Sequence, residues 1–385
     1  MKTFSNEQAL TILKDLIAIK SVNDHEKVVA TYLHDLLAKY GIDSEIRTVH
    51  GDRANLVAEI GSGKPVLGVS GHMDVVEAKE NNWTSDPFTM IERDGLLFGR
   101  GITDMKAGLA AVVITMIELH QQGLPKKGTI RLLATMGEEI GEDGSKTLFS
   151  EGSMDDVDGL IIAEPSGYSI GYAEKGSMDI KFTSKGIASH SSAPDKGFNA
   201  IDALMNFLND ANKIFRDKNI GSDTMGPLTF NTTIINGGAQ VNSIPALATA
   251  EASVRTVPEY DNQKVIVTLH NLIEKHNQSG AQISFEVYMN AIPISMDKNN
   301  ILVLQIKKLM EQYTTEEIKI NPIAPATDAN YLMRGKTHNF PFIITGPGND
   351  TAHQVNESLE KQMYFNFIDI FETLFVEFLE KSILK

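Results

Sequence analysis

Four short apolar runs, at residues 55–60, 65–70, 129–134 and 160–163, alternate with segments of helical periodicity, and this alternation narrows the fold more than any other feature. Runs of that length read as strands buried on both faces. Between the second and third lies a long helical stretch, Lys106 to Gln121, with Leu109, Val112, Val113, Met116, Ile117 and Leu119 at its apolar positions. Strands interleaved with helices predict an α/β domain on a mostly parallel sheet, with helices covering both faces. Two helices open the chain. Ser5 and Gln8 form a capping box ahead of Leu10, Leu13, Ile17 and Ile19, and Asn23 is placed to cap the second helix, which Gly41 ends.

The rhythm changes midway. Residues 178–184 alternate as a strand, Ala200 to Phe215 reads as an amphipathic helix, and strands are expected at 228–235 and 249–255. A helix at 262–276 and a strand at 282–288 complete a β-α-β-β-α-β order, that of a ferredoxin-like α+β unit. At roughly 150 residues per domain, 385 residues leave room for such an insertion. The expected organisation is one domain from residues 1–174 and 293–385, interrupted by a second at 175–292.

Composition excludes several function classes. A net charge of −15 argues against a nucleic-acid partner, which needs a basic face. The chain has no cysteine, so disulfides, a thiol nucleophile and thiolate metal ligands are all excluded. That fits a reducing cytoplasm. Neither a secretory signal nor an apolar run long enough to span a bilayer is expected.

The chemistry sits where strands end. The run at 65–70 leads into Gly71-His72-Met73-Asp74, the run at 129–134 into Gly137-Glu138-Glu139, and the run at 160–163 into Glu164-Pro165. Asp104 follows Gly99-Arg100-Gly101-Ile102-Thr103, and His353 follows Gly346-Pro347-Gly348. In parallel α/β sheets the ligand crevice lies outside the carboxyl ends of the strands. Imidazoles and carboxylates delivered there suit divalent zinc, cobalt or manganese, with zinc the usual hydrolytic choice. Asp74, two residues beyond His72, is placed to accept the second ring N–H of a ligating histidine. Of the Glu138-Glu139 pair, one carboxylate can ligate while the other serves as general base.

The segments SGHMDVV, FGRGITDMKAG, GEE, AEP and GPGNDTAHQVNES together resemble the acetylornithine deacetylase, succinyl-diaminopimelate desuccinylase and carboxypeptidase G family. WTSDPF, KGSMDIKF, ASHSSAPDKGFNAID and INGGAQVNSIP fall in the family's order, so the resemblance covers nearly the whole chain. It implies a zinc-exopeptidase-like catalytic domain with an inserted lid and dimerisation domain. It also implies two divalent ions bridged by Asp104, with His72 and Glu164 completing one site and Glu139 and His353 the other. Glu138 would move the proton, and His190 would be a lid histidine stabilising the oxyanion in a neighbouring subunit. Asn242 and Arg255 resemble substrate contacts, and Thr327 and Gly348 fall among the same group. Lys175 stands where desuccinylases carry arginine, and Pro325-Ala326-Thr327-Asp328 replaces a common Gly-Thr-Ser-Asp. The expected substrate is a small anionic N-acyl amino acid or dipeptide. N-succinyl-LL-2,6-diaminopimelate leads, acetylornithine and dipeptides remain open, and a binding protein without turnover is the reading from another class.

Overall fold

The computed structural model describes residues 2–79 and 82–381. By internal contacts it divides into two compact units: residues 1–173, 296–321 and 327–385 form one, and residues 174–295 with 322–326 form the other. The short segment 322–326 is assigned to the second unit, where the sequence reading has a single insertion.

The first unit carries a mixed sheet. From one edge its strands run Ser44–His50, Arg53–Ser62, Gly128–Thr135, Val66–His72, Gly159–Ile162, Phe342–Ile344 and Ser169–Glu174. The central four are mutually parallel, and the flanking pairs are antiparallel. The antiparallel edge has a local cause. Only Gly51 and Asp52 separate Ser44–His50 from Arg53–Ser62, and a link that short can make a hairpin but not a crossover. The central strands are buried along their length, as continuous apolar runs require. Helix Lys106–Gln121 is buried nearly all round because it packs on the sheet and on helix Lys361–Lys381.

The opening helix Asn6–Ala18 starts on the expected capping box of Ser5 and Gln8. Its far end is capped from a distance, where the buried Lys106 amine donates to the carbonyls of Leu16 (2.9 Å) and Ile19 (2.7 Å). Burial pushes that amine down to about 7. The second helix, Glu26–Lys39, corrects the reading of Asn23 as its cap. The flanking residue is His25, with no side-chain cap, and Asp24 turns into the left-handed region. Glu26 fixes the start instead, its fully buried carboxylate pairing with Arg53 at 2.7 Å.

The second unit has an antiparallel sheet, four-stranded among the described residues, in the order Thr229–Gly237, Leu247–Thr256, Gly176–Lys185, Gln282–Ala291. Helices Ala200–Phe215 and Asn262–Gln278 supply the two α elements of the β-α-β-β-α-β order. The alternating burial along Leu247–Thr256 shows why one sheet face packs and the other does not. Phe182, Phe207, Phe215 and Phe230 centre its core, with the Phe215 and Phe230 rings stacked at 5.0 Å.

Candidate metal centre

His72 is the last residue of Val66–His72, and Glu164 lies two residues beyond the neighbouring parallel strand Gly159–Ile162. Glu138 and Glu139 follow the next parallel strand, Gly128–Thr135, so three adjacent strand ends point one way. Asp104 and His353 come from loops, and small residues let both elements close in. A Cβ on Gly108 would stand 2.1 Å from the Ala163 carbonyl oxygen, so only glycine lets helix Lys106–Gln121 approach the strand end that carries Glu164. A Cβ on Gly346 would stand 2.4 Å from that same oxygen, and one on Gly348 would stand 2.1 Å from the Pro165 side chain. The Gly-Pro-Gly run thus packs the His353 loop against Ala163-Glu164-Pro165.

The result is two overlapping triads. His72 Nε2 lies 3.0 Å from Asp104 Oδ1 and 3.7 Å from Glu164 Oε1. His353 Nε2 lies 3.3 Å from Asp104 Oδ2 and 2.9 Å from Glu139 Oε2. Asp104 therefore turns one oxygen to each histidine. Each triad offers three donor atoms within 4.8 Å of one another. Sheltering is graded, from fully buried His72 to half-exposed His353, which opens one side of the centre.

The electrostatics fit cations. Burial and the charges of Glu164 and Glu139 push Glu138 well above the usual carboxylate range, and burial does the same to Glu164. Burial also raises Glu139. Burial opposes ionisation of Asp104, yet hydrogen bonds from His353 and His72 hold it well below its ordinary value. Hydrogen bonds to Asp104 and Glu139 push the His353 imidazole up to about 10. Among the described residues, the ion-pair partners of Asp104, Glu139 and Glu164 are these imidazoles, with no Lys or Arg. A cluster of carboxylate and imidazole donors with no Lys or Arg of its own matches hard or borderline divalent ions.

The role expected of Asp74 is corrected by the geometry. His72 Nδ1 lies 2.9 Å from the main-chain carbonyl of Asp74, whereas the carboxylate is 3.7 Å away, beyond a hydrogen bond. The carboxylate instead accepts from the amides of Glu138 (3.2 Å) and Glu139 (3.1 Å). Asp74 thus holds the Glu138-Glu139 loop with its side chain and the His72 ring with its backbone. Thr327 is buried, and its hydroxyl accepts from the Ala329 amide at 3.2 Å, starting the short helix Ala329–Leu332. Gly348 is buried against Pro165. Neither is placed as an open substrate contact.

The remaining named residues lie in the second unit as two pairs. Ser189–His190 pairs with Ser243–Ile244, and the Ser191 amide donates to the Asn242 carbonyl at 3.0 Å, so exposed His190 and Asn242 are neighbours. His190 Nδ1 lies 2.7 Å from the Ser192 hydroxyl. Lys175 and Arg255 form a cationic pair: burial first, and then the nearby Arg255, lower the Lys175 amine. The Lys175 amine donates to the Pro227 carbonyl at 2.8 Å.

Residue-level reasoning missed three polar residues. Asp328 is buried, takes a hydrogen bond from the Thr135 hydroxyl, and is pushed by burial up to about 6. Arg100 and Glu357 form a buried ion pair at 2.8 Å. Nothing in a single sequence separates a buried Asp, Arg or Glu from a solvated one. The only signal was the place of Arg100 and Glu357 inside the segments FGRGITDMKAG and GPGNDTAHQVNES, and of Asp328 at the end of Pro325-Ala326-Thr327-Asp328.

The sequence profile of peptidase family M20/M25/M40 matches residues 68–377. A Staphylococcus aureus protein named "Probable succinyl-diaminopimelate desuccinylase" is 43% identical, covering 99% of this chain and 100% of its own. Among solved structures, an M20 family metallo-carboxypeptidase from Sulfolobus solfataricus matches with a TM-score of 0.78 at 18% identity, over 96% of this chain and 98% of that one. A Bacillus subtilis protein titled a dinuclear metal-binding peptidase of the M20 family matches with a TM-score of 0.72 at 18% identity, over 97% and 98%.

Proposed function

This chain belongs to peptidase family M20/M25/M40, and from that premise and its donor geometry we propose a two-metal desuccinylase that cleaves N-succinyl-LL-2,6-diaminopimelate. As a hydrolase of that family it is not a silent binding protein. The observation that carries the dinuclear reading is the placement of Asp104, one oxygen toward His72 and the other toward His353, with Glu164 and Glu139 completing the two sets. When bound, a pair of divalent cations (zinc first, then cobalt or manganese) supplies Lewis acidity that polarises the amide carbonyl and acidifies water.

The chain's own residues do the rest. The Glu138 carboxylate, kept basic by burial and neighbouring charge, takes a proton from the attacking water. The water oxygen bonds to the acyl carbon, the C–N bond breaks, and Glu138 returns the proton to the departing nitrogen. Succinate and the free diamino acid leave. Asp74 fixes the main chain from which Glu138 projects. We assign the Lys175–Arg255 pair to the substrate carboxylates, a task for which guanidinium is suited by its fork and ammonium as a point charge. His190 and Asn242, adjacent on the second unit, are assigned to the scissile carbonyl and the substrate. The desuccinylase name of the 43% identical relative supports the succinyl group over acetyl.

A homodimer through the second unit is part of the proposal. Its support is the edge strand Thr229–Gly237, which exposes Ile234 and Ile235. The cysteine-free sequence supports a cytoplasmic setting.

The test is a turnover panel on chelator-treated and Zn2+- or Co2+-reconstituted protein, with N-succinyl-LL-2,6-diaminopimelate, N-acetylornithine and dipeptides as substrates. The expected outcome is activity that needs metal and is highest on the succinylated substrate. Activity that survives complete metal removal would sink the metal assignment. Preference for a dipeptide or acetylornithine would overturn the substrate.

A further inference from the structure

The two donor sets are anchored unequally. His72 and Glu164 sit at or just past the ends of adjacent hydrogen-bonded strands, whereas Asp104 and His353 sit in loops. One carboxylate ties those loops together. Glu357 is fully buried, and both of its oxygens are doubly engaged. Oε1 accepts from the main-chain amides of Thr103 (2.8 Å) and Asp104 (2.9 Å). Oε2 accepts from the Gly101 amide (2.9 Å) and from Nη1 of Arg100 (2.8 Å). Four donors fill the acceptor sites of a carboxylate.

Arg100, itself buried, extends the tie. Its Nη2 lies 3.4 Å from the main-chain oxygen of His353 and 3.3 Å from that of Glu77. Its guanidinium lies over Trp83 at 5.2 Å, which fixes the plane of the fork. The pair therefore grips the amide of Asp104 on one side and the carbonyl of His353 on the other. Those two residues carry the Oδ2 and Nε2 that face each other at 3.3 Å. His353 itself has φ +64°, a conformation that a residue with a Cβ keeps only when its surroundings hold it. A buried ion pair is weak evidence for stability, since an apolar replacement is often neutral or better. A saturated carboxylate spanning two ligand-bearing loops fits a geometric role.

We propose that Glu357, acting with Arg100, is a positioning residue that sets the spacing of Asp104 and His353, and hence the cation affinity of the Asp104–Glu139–His353 set. The His72–Asp104–Glu164 set keeps two of its three ligands on the sheet and depends on the ion pair less. The inference rests on the dinuclear reading above.

The test is calorimetric titration of metal-depleted protein with Co2+, together with the absorption spectrum of the bound ion. His353→Ala identifies which of two binding events belongs to the second set. Glu357→Gln matches Glu in shape but puts an NH2 group against N–H donors whichever way it turns. The expected result is loss of at least about tenfold in affinity at the event that His353→Ala abolishes, with a much smaller change at the other. In the loaded enzyme kcat falls while KM for the acylated substrate stays close to that of the parent. Unchanged affinities, or equal weakening at both events, would overturn the proposal. Arg100→Lys provides a second route should the glutamine variant not fold. It keeps a cation beside Glu357 but loses the fork that reaches His353, so the same selective loss is expected. A folded Arg100→Lys protein with both affinities intact would also overturn it. A parent protein that takes up no cation pair would bring down the dinuclear reading itself. A normal pair in the parent with unchanged affinities in the variants brings down only this inference.

Discussion

Glu138 and Asp74 separate two jobs that neighbouring carboxylates are easily assumed to share. Glu138 touches the reaction in our reading, while Asp74 holds the loop under it. Glu138→Gln removes the base but keeps the volume, so turnover should fall by on the order of 10²–10⁴-fold, with metal content per chain unchanged. Steady-state kinetics beside elemental analysis checks this, and near-normal turnover would refute the assignment. Asp74→Asn is expected to behave differently from the change of a residue whose carboxylate binds a ligand histidine. The His72 ring is held by the main-chain carbonyl of Asp74, which the substitution keeps. One of the amides of Glu138 and Glu139 loses its acceptor. We expect a lower kcat with metal affinity nearly unchanged. A large loss of metal from Asp74→Asn would show that the carboxylate supports His72 after all.

The sheet works as a comb of strand ends whose spacing is set by backbone hydrogen bonds, and helix Lys106–Gln121 and the Gly346–Gly348 loop press on it from outside. Both approach it closely at Ala163. Gly108→Ala would drive a Cβ to 2.1 Å from the Ala163 carbonyl oxygen, where backbone rather than a flexible side chain must yield. Overpacking of this kind costs about 1–3 kcal/mol. At roughly 1–2 °C per kcal/mol for a chain this long, Tm should fall by a few degrees. Because Glu164 is the next residue, cation affinity at its set should fall too. Thermal unfolding monitored with and without Zn2+ tests both. An unchanged Tm would mean that the helix shifts at no cost.

At the scale of the molecule the second unit presents its edge outward. Ile234 and Ile235 are 47% and 55% exposed on Thr229–Gly237, an edge strand paired on one side with Leu247–Thr256. An edge of this kind is usually covered or blunted. Sedimentation at micromolar concentration should give a dimer, and Ile235→Glu should convert it to monomer without unfolding either unit. A monomeric parent would remove the dimer from the proposal. Among the described residues no helix is long and apolar enough to cross a membrane.

The sequence by itself determined which segments become strands and helices and which residues stand at their ends. Apolar period and turn residues are local properties, and the runs at 65–70, 129–134 and 160–163 needed no partner to be legible. They carry His72, Glu139 and Glu164 at or just past strand ends. The segment order of the second unit was legible for the same reason, since alternation and helical spacing survive in each piece. Tertiary structure decided the rest. Asp104 and His353 joined the donor sets only when Gly108 and Gly346 let their carriers close on Ala163, and Gly348 on Pro165. The antiparallel edge depends on how the hairpin at Gly51-Asp52 joins the sheet, and the start of the second helix on Arg53 reaching Glu26. Asp74 exchanged its expected contact for another because hydrogen bonds are won by geometry to within a few tenths of an ångström, which residue order does not encode. Glu357 and Arg100 stayed invisible as a pair because their meeting joins positions 257 residues apart. Burial, the property that makes such a pair matter, belongs to the folded chain alone.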